Sequence, residues 1–539
     1  MVMSMKFKPH FITLFGLCVM PTLSQITNAY DLHEWGTFTT VSGSDGGMLS
    51  GLDVEEEQLP SFVYSHKGMR PIAHHNLANP FPYGLMPSRG DGRSKGIFVK
   101  KDAKNMLVPA IRFKGIPRAM LKNVTVKMET PVIYFYGDDT PKVKVKVGFN
   151  GGTISQWYPN RTAGDIPNLI TASEHKVSDE MKKRFAENEL ILHEPINFSL
   201  PYKGFIEWDV DIIPKNEADP AYTFKSDENS SWIYPRVPEA NMIRVGDEYE
   251  DYLFYRGIGN FEMPATFSVD SSETLHVTNN SSEVIPFAFA FENVGGKFRY
   301  KTIGKIGTGS IASVSEEDWI IPSEGESQQV AVFQEMRDGL LAQGLTISEA
   351  NGMVKTWWKS YFEKSGLRVF WVVPQIDVER ILPLTVTPKP ENQVRVLVGR
   401  ADVMRPKFEQ RLIADLGTHQ FNKYFKDRFY KPYRQRLTQL VKDPVFQKFD
   451  ELNVVNAPLQ ITALKGSSKL GEGLRLIEGR EVKLQHLKLN GVWELVSESE
   501  LKIGEVLFTL DPQKGILSSD RSLDENYDRY EIQLPRVLN

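Results

Sequence analysis

Four side chains near the start of the sequence are of types that bind metal: His33, Glu34, His74 and His75. Imidazole and carboxylate together suit zinc or another divalent cation. Their spacing limits that chemistry. In an extended strand His33 and Glu34 point to opposite faces, so His33 shares a face with Trp35 and Thr37 while Glu34 lies with Leu32 and Gly36. His74 and His75 meet the same constraint, and one ion could take both members of a pair only where the chain kinks. The competing structural reading makes His33 a hydrogen-bonded histidine beside Trp35. We take His33, Glu34, Trp35, His74 and His75 as candidate ligand-binding residues and a divalent metal as the candidate cofactor. The sequence assigns no catalytic residue.

A second pattern is Glu207, Asp209 and Asp211, two apart on one face of a strand expected over 204–213, with Trp208 on the other face. Strand positions two apart lie about 7 Å from each other, within the separation of an inverting glycosidase pair. Acidic residues on a wet strand face are also simply solvated. Several familiar chemistries lack their residues. His33-Glu34 and His193-Glu194 have no second histidine at HExxH spacing, and neither a Walker loop nor a GxSxG elbow occurs. Gly307 to Ala312 spells GxGxxA but runs on into Ser313-Val314-Ser315-Glu316-Glu317 rather than a helix.

Residues 6–29 have the build of a secretory signal: Lys6 and Lys8, an apolar core from Phe11 to Met20, and a cleavage site at Thr27-Asn28-Ala29. The apolar core spans about ten residues, short of the roughly twenty a spanning helix needs. We therefore expect export to the periplasm or beyond, with no transmembrane anchor. Cys18 is the one cysteine and leaves with the signal, which excludes disulfides, thiol nucleophiles and Cys-held zinc or iron-sulfur clusters. A formal net charge of −4 argues against nucleic acid as a partner and leaves an envelope glycan, peptide or protein.

The elements that must position these residues are mostly strands. Leu32–Thr40 reads as an opening strand, Glu55-Glu56-Glu57 as a solvated surface run, and the Pro- and Gly-rich stretch after it as irregular. Val124 to Tyr136, Pro141 to Val147 with lysines out and valines in, and Thr153 to Trp157 read as an antiparallel meander. Phe287, Phe289 and Phe291 alternate as in a sandwich strand. Helical signals follow, over 177–188 and, past Ser315, in a capping box at Thr346 and Glu349 ahead of Val354 and Trp357. The aromatic stretch at 418–453 fits one packed face. Asn490-Gly491 reads as a hairpin turn. The expected fold is a multidomain α+β protein. Its parts are a signal peptide at 1–29, an antiparallel β-sandwich-rich half at 30–310, a mixed, mainly helical region with two strands at 311–458, and a small β domain at 459–539.

His33-Glu34-Trp35-Gly36-Thr37-Phe38-Thr39 directly after a signal resembles the opening of a family of exported bacterial proteins without an assigned activity. Met128 to Tyr136, Gln156 to Pro159, Leu253 to Gly257 and Val394 to Arg400 carry further resemblance. It implies export and a shared fold over most of 30–415, and supplies no catalytic residues. Two function classes stay open: a ligand- or partner-binding envelope protein, and a metal-assisted or glycan-directed hydrolase.

Overall fold

The computed structural model describes residues 30–57, 59–60, 62–65, 97–100, 121–137, 142–165, 169–170, 190–193, 196–199, 201–217, 230–323, 326–415, 424, 427–441, 459–474, 476 and 481–534. The opening strand, Asp31–Ser42, is the middle of a nine-stranded sheet. It runs parallel to Asn392–Val403 and antiparallel to Val126–Tyr136. Outward from the first neighbour lie Gly366–Val372, Ile285–Val294 and Lys297–Ile306; outward from the second lie Leu253–Gly259, Gly152–Tyr158 and Tyr64–Ser65. The opening strand is buried along most of its length because both faces of the sheet are covered.

One face packs on a second, six-stranded sheet. Leu32, Phe38, Ile133 and Phe135 meet Val143, Val145, Val147 and Trp208 there. The alternation in Lys142–Asn150 explains that contact: valines face the core and lysines face water, where Lys146 stands opposite Glu207 and Lys144 opposite Asp209. The expected meander is corrected at this point. Lys142–Asn150 belongs to the second sheet while the strands on either side of it belong to the first, and Gly151, at φ +88°, turns the chain from one layer to the other.

The other face is covered by the helices Glu326–Leu341 and Ile347–Trp357. Thr346 and Glu349 form the expected capping box at the start of the second helix, and Met353, Val354 and Trp357 are its buried stripe. Phe287, Phe289 and Phe291 are buried with these helices, so a helical layer rather than a facing sheet covers them. The expected division at 310 runs through the nine-stranded sheet, since Gly366–Val372 and Asn392–Val403 pair within it. A long parallel connection returns the chain to its own opening strand, a pairing that local signals do not announce.

The strands from Leu459 to Gln533 form an eight-stranded antiparallel sheet around a core that includes Ile461, Leu501, Phe508 and Tyr530. Asn490-Gly491 is not its hairpin turn. Strand Leu489–Ser497 passes straight through this pair, and the loop closes earlier, ending on Lys488 at φ +53°. Gly491 serves a close approach instead: a Cβ there would lie 2.6 Å from Gly504 Cα. Among the described residues no helix is long and apolar enough to cross a membrane. The helix expected at 177–188 lies outside the described residues, as do His74 and His75.

Candidate functional site

The helix-facing side of the central sheet changes character halfway along the opening strand. As far as Trp35 it is aromatic, with Tyr134, Phe254 and Phe370 on neighbouring strands. From Thr37 onward it is charged. A bulge makes the switch: Trp35 stands opposite Val132, but Thr37 stands opposite Glu129, so Val126–Tyr136 carries one extra residue. Thr130 takes a left-handed backbone there, at φ +49°. Without the extra residue Met128 would occupy this face; with it, Glu129 lies beside Thr37 and Lys127 beside Thr39. Gly36 permits the approach, because a Cβ on it would lie 2.8 Å from Pro131 Cα.

Neighbouring strands add Arg256, Arg368, Arg400 and Asp402, and the three arginines are fully buried. Burying so many charges requires that each be matched. Arg400 Nη2 lies 2.7 Å and Arg368 Nε 2.8 Å from the Asp402 carboxylate. Arg256 Nε lies 3.4 Å from Glu129. The rest of the matching comes from a segment that the sequence reading placed in water. The Glu56 side chain is 3% exposed, and it accepts from Lys127, from Arg428 and from Arg400 Nη1 at 3.1 Å. Glu57 accepts from Ser360 Oγ at 2.6 Å, from Arg256 Nη2 at 3.3 Å and from Ser231. The guanidinium of Arg400 stacks 4.1 Å from the centre of the Tyr361 ring.

A π-helical turn, Trp358–Phe362, follows the covering helix and aims two of these groups. It delivers Ser360 to Glu57 and places Tyr361 OH 2.8 Å from Thr37 Oγ1. The two adjacent glutamates are shifted in opposite directions. Burial pushes Glu56 up, but Arg400, Arg428 and Lys127 more than offset it and hold the carboxyl well below its usual range. Burial also pushes Glu57 up, and there Arg256 does not outweigh burial and the nearby Glu129, so its pKa stays raised.

Against this layer lies a cavity of about 1170 Å³. Glu55, Glu56, Glu57, Ser231, Ser360 and Asp402 line it together with Phe408, Arg428, Phe429 and Tyr430. The site offers carboxylates, hydroxyls, guanidinium groups and ring faces to one volume. A ligand with several polar groups could satisfy them together.

Of the residues singled out from sequence, His33, Glu34 and Trp35 are described and face different surroundings, while His74 and His75 lie outside the described residues. His33 points to the helix side, where its Nδ1 lies 3.0 Å from both oxygens of Glu349. Tyr136 OH donates to the same carboxylate at 2.9 Å and the Thr346 N–H at 2.7 Å. Glu34 points to the opposite face, as the strand geometry requires, and accepts from Arg395 Nε at 2.5 Å and from Tyr255 OH. Trp35 is fully buried, edge-on to Trp357. Among the described residues no three His, Cys, Asp or Glu side chains gather as a metal-binding group. Glu207 is held by Lys144 and Lys146, and Asp211 by Lys142 and Arg244, so these carboxylates form a paired wet face.

Sequence reasoning missed Glu55 to Glu57, Lys127, Glu129, Arg256, Arg400 and Arg428. A signal existed in the form of single charges inside apolar runs, such as Lys127 between Val126 and Met128 or Arg256 after Leu253-Phe254-Tyr255. Within the aromatic stretch at 418–453, the described Tyr424, Phe429 and Leu437 are buried together with Phe408 against them, and Phe421 and Phe425 lie outside the described residues.

The sequence matches no protein-family profile and no curated protein. Among solved structures, the chain is similar to the yeast delta-COP-I mu-homology domain complexed with Dsl1 WxWxV peptide. That likeness is 7% identical, spans 70% of this chain and 98% of that one, and has a TM-score of 0.21. A score this low does not establish a shared fold.

Proposed function

We propose that this chain is an exported binding protein of the bacterial envelope, acting in the periplasm or outside the cell, and that its ligand enters the cavity beside Glu55, Glu56 and Glu57. One observation carries the reading. A large cavity is floored by buried, mutually paired charges, which is a costly arrangement that a purely structural interior replaces with apolar packing. The two face-packed sheets act as a β-sandwich scaffold that keeps this floor rigid. Partners in this reading are a glycan, a peptide or another envelope protein. Two departures from regular backbone, the left-handed Thr130 and the π turn at Ser360, meet at the same floor. Departures of this kind gather at functional sites.

The test is a melting-temperature screen of the purified chain against polar small molecules and oligosaccharides, run beside Ser365→Trp. Ser365 is exposed and lines the cavity mouth. A compound that raises the melting temperature of the original chain and not of the variant supports the reading. Shifts that are the same in both place the ligand elsewhere.

A hydrolase is the second reading. It is favoured by one specific observation: two adjacent carboxyls at the cavity wall are pushed in opposite directions, Glu56 down by Arg400, Arg428 and Lys127 and Glu57 up by burial, as the environments of an acid–base pair are. Turnover of an oligosaccharide that disappears in Glu57→Gln, with binding retained, would establish it over simple binding.

A further inference from the structure

The cavity lining separates into charges that are already matched and charges that are not. Glu56, Glu57, Glu292 and Asp402 each have an arginine or lysine within ion-pair distance, and Asp427 accepts the Phe429 N–H in the field of Arg428. Three cations on the lining, Lys359, Lys364 and Arg411, are exposed and make no ion pair among the described residues. Glu55 is bonded to the Gln156 amide rather than to a cation, so it keeps acceptor capacity for a hydroxyl. Half-buried Phe408 and Tyr430 add aromatic surface to the same volume. At about 1170 Å³ the cavity exceeds the roughly 300–1,000 Å³ typical of a small-molecule site, which leaves room for an oligomer.

We infer that the cavity takes an acidic oligosaccharide, a short chain of hydroxylated rings bearing carboxylates. Lys359, Lys364 and Arg411 hold the carboxylates, Glu55 accepts from ring hydroxyls, and Phe408 and Tyr430 cover the apolar ring faces. This deepens the binding reading above and rests on it. The two halves of the ligand chemistry are both required. A polyanion without hydroxyls brings like charge toward Glu55, and a neutral sugar gains nothing from the three exposed cations.

The experiment is calorimetric titration of the full purified chain with three probes: an oligogalacturonate, the same oligomer methyl-esterified, and an oligoglutamate of similar charge. The free acid should bind, with affinity that falls as salt is raised. Replacing Lys359, Lys364 and Arg411 together by glutamine should weaken it by about tenfold or more. All three positions are at the surface, so the variant should melt like the original chain. The ester and the oligoglutamate should bind much more weakly. Equal binding of ester and acid would overturn recognition of charge, equal binding of oligoglutamate would overturn recognition of a sugar, and no binding by any probe would overturn the inference outright. The binding reading survives those outcomes if another compound is lost in Ser365→Trp. It falls together with the inference if the acid binds and Ser365→Trp leaves that binding unchanged.

Discussion

Arg400 and Glu56, which are 344 positions apart in sequence, meet at 3.1 Å with the arginine side chain 0% and the glutamate side chain 3% exposed. Arg400 is the largest compensating charge on Glu56, and Glu56 compensates Arg400 second only to Asp402. Removing one partner leaves the other buried charge only partly compensated, by Asp402 for Arg400 and by Lys127 and Arg428 for Glu56, so the cost is at most the about 3–5 kcal/mol of a fully broken buried pair. Glu56→Gln and Arg400→Met should each lower stability by that order in chemical denaturation, and the double variant should lose less than the sum of the two. Strict additivity would mean that the pair is not coupled.

Glu56 and Glu57 should respond to pH with opposite signs. A carboxyl held below its unfolded value contributes stability above that value and loses it as pH falls, so the deficit of Glu56→Gln should be full at neutral pH and shrink in acid. A carboxyl held above its unfolded value contributes in acid and loses that contribution as pH rises. Glu57→Gln should therefore be stabilising near neutrality, with the gain fading as pH falls toward about 4. Melting curves of both variants across this range check the order, and parallel curves would contradict it.

Gly36 is where the bulge and the charged floor are set. Gly36→Ala places a methyl group against Pro131 Cα, backbone that cannot swing aside, and should cost about 1–3 kcal/mol. Because the bulge decides that Lys127 and Glu129 rather than Met128 face the site, the same variant should also weaken any ligand that reads the floor. A variant that melts and binds like the original chain would remove the bulge from the account.

Along the same strand, Trp35→Ala should cost about 3–5 kcal/mol, since a fully buried ring packed on Trp357 is lost. His33→Ala should cost less, as its side chain is partly exposed at 13% and its removal leaves Glu349 bonded to Tyr136 OH and the Thr346 N–H. Melting shifts of equal size in the two variants would give His33 a structural weight that its contacts do not suggest.

Period-two patterns were the most legible feature of the sequence. Val143, Val145 and Val147 are buried and Lys144 and Lys146 exposed, and the Thr346–Glu349 capping box starts a helix as expected. Which sheet a strand joins was not legible, because the signals in Lys142–Asn150 fix its faces but not its neighbours. The parallel partner of the opening strand lies about 360 positions away, beyond any local pattern. The site was hidden for a related reason. Three glutamates in a row look solvated until the arginines that match Glu56 and Glu57 are known, and those come one at a time from separate strands and from just ahead of a helix.

The account stands most directly on whether the cavity beside Glu55, Glu56 and Glu57 is where ligand binds. The measurement is the affinity of one bound compound, by calorimetry, for the original chain and for Ser365→Trp, with Lys364→Trp as a second plug should the first misfold. Both side chains are exposed at the cavity lining. The account predicts unchanged melting without ligand and a loss of affinity of about tenfold or more in the plugged variants. Full affinity in a folded, plugged variant would contradict it.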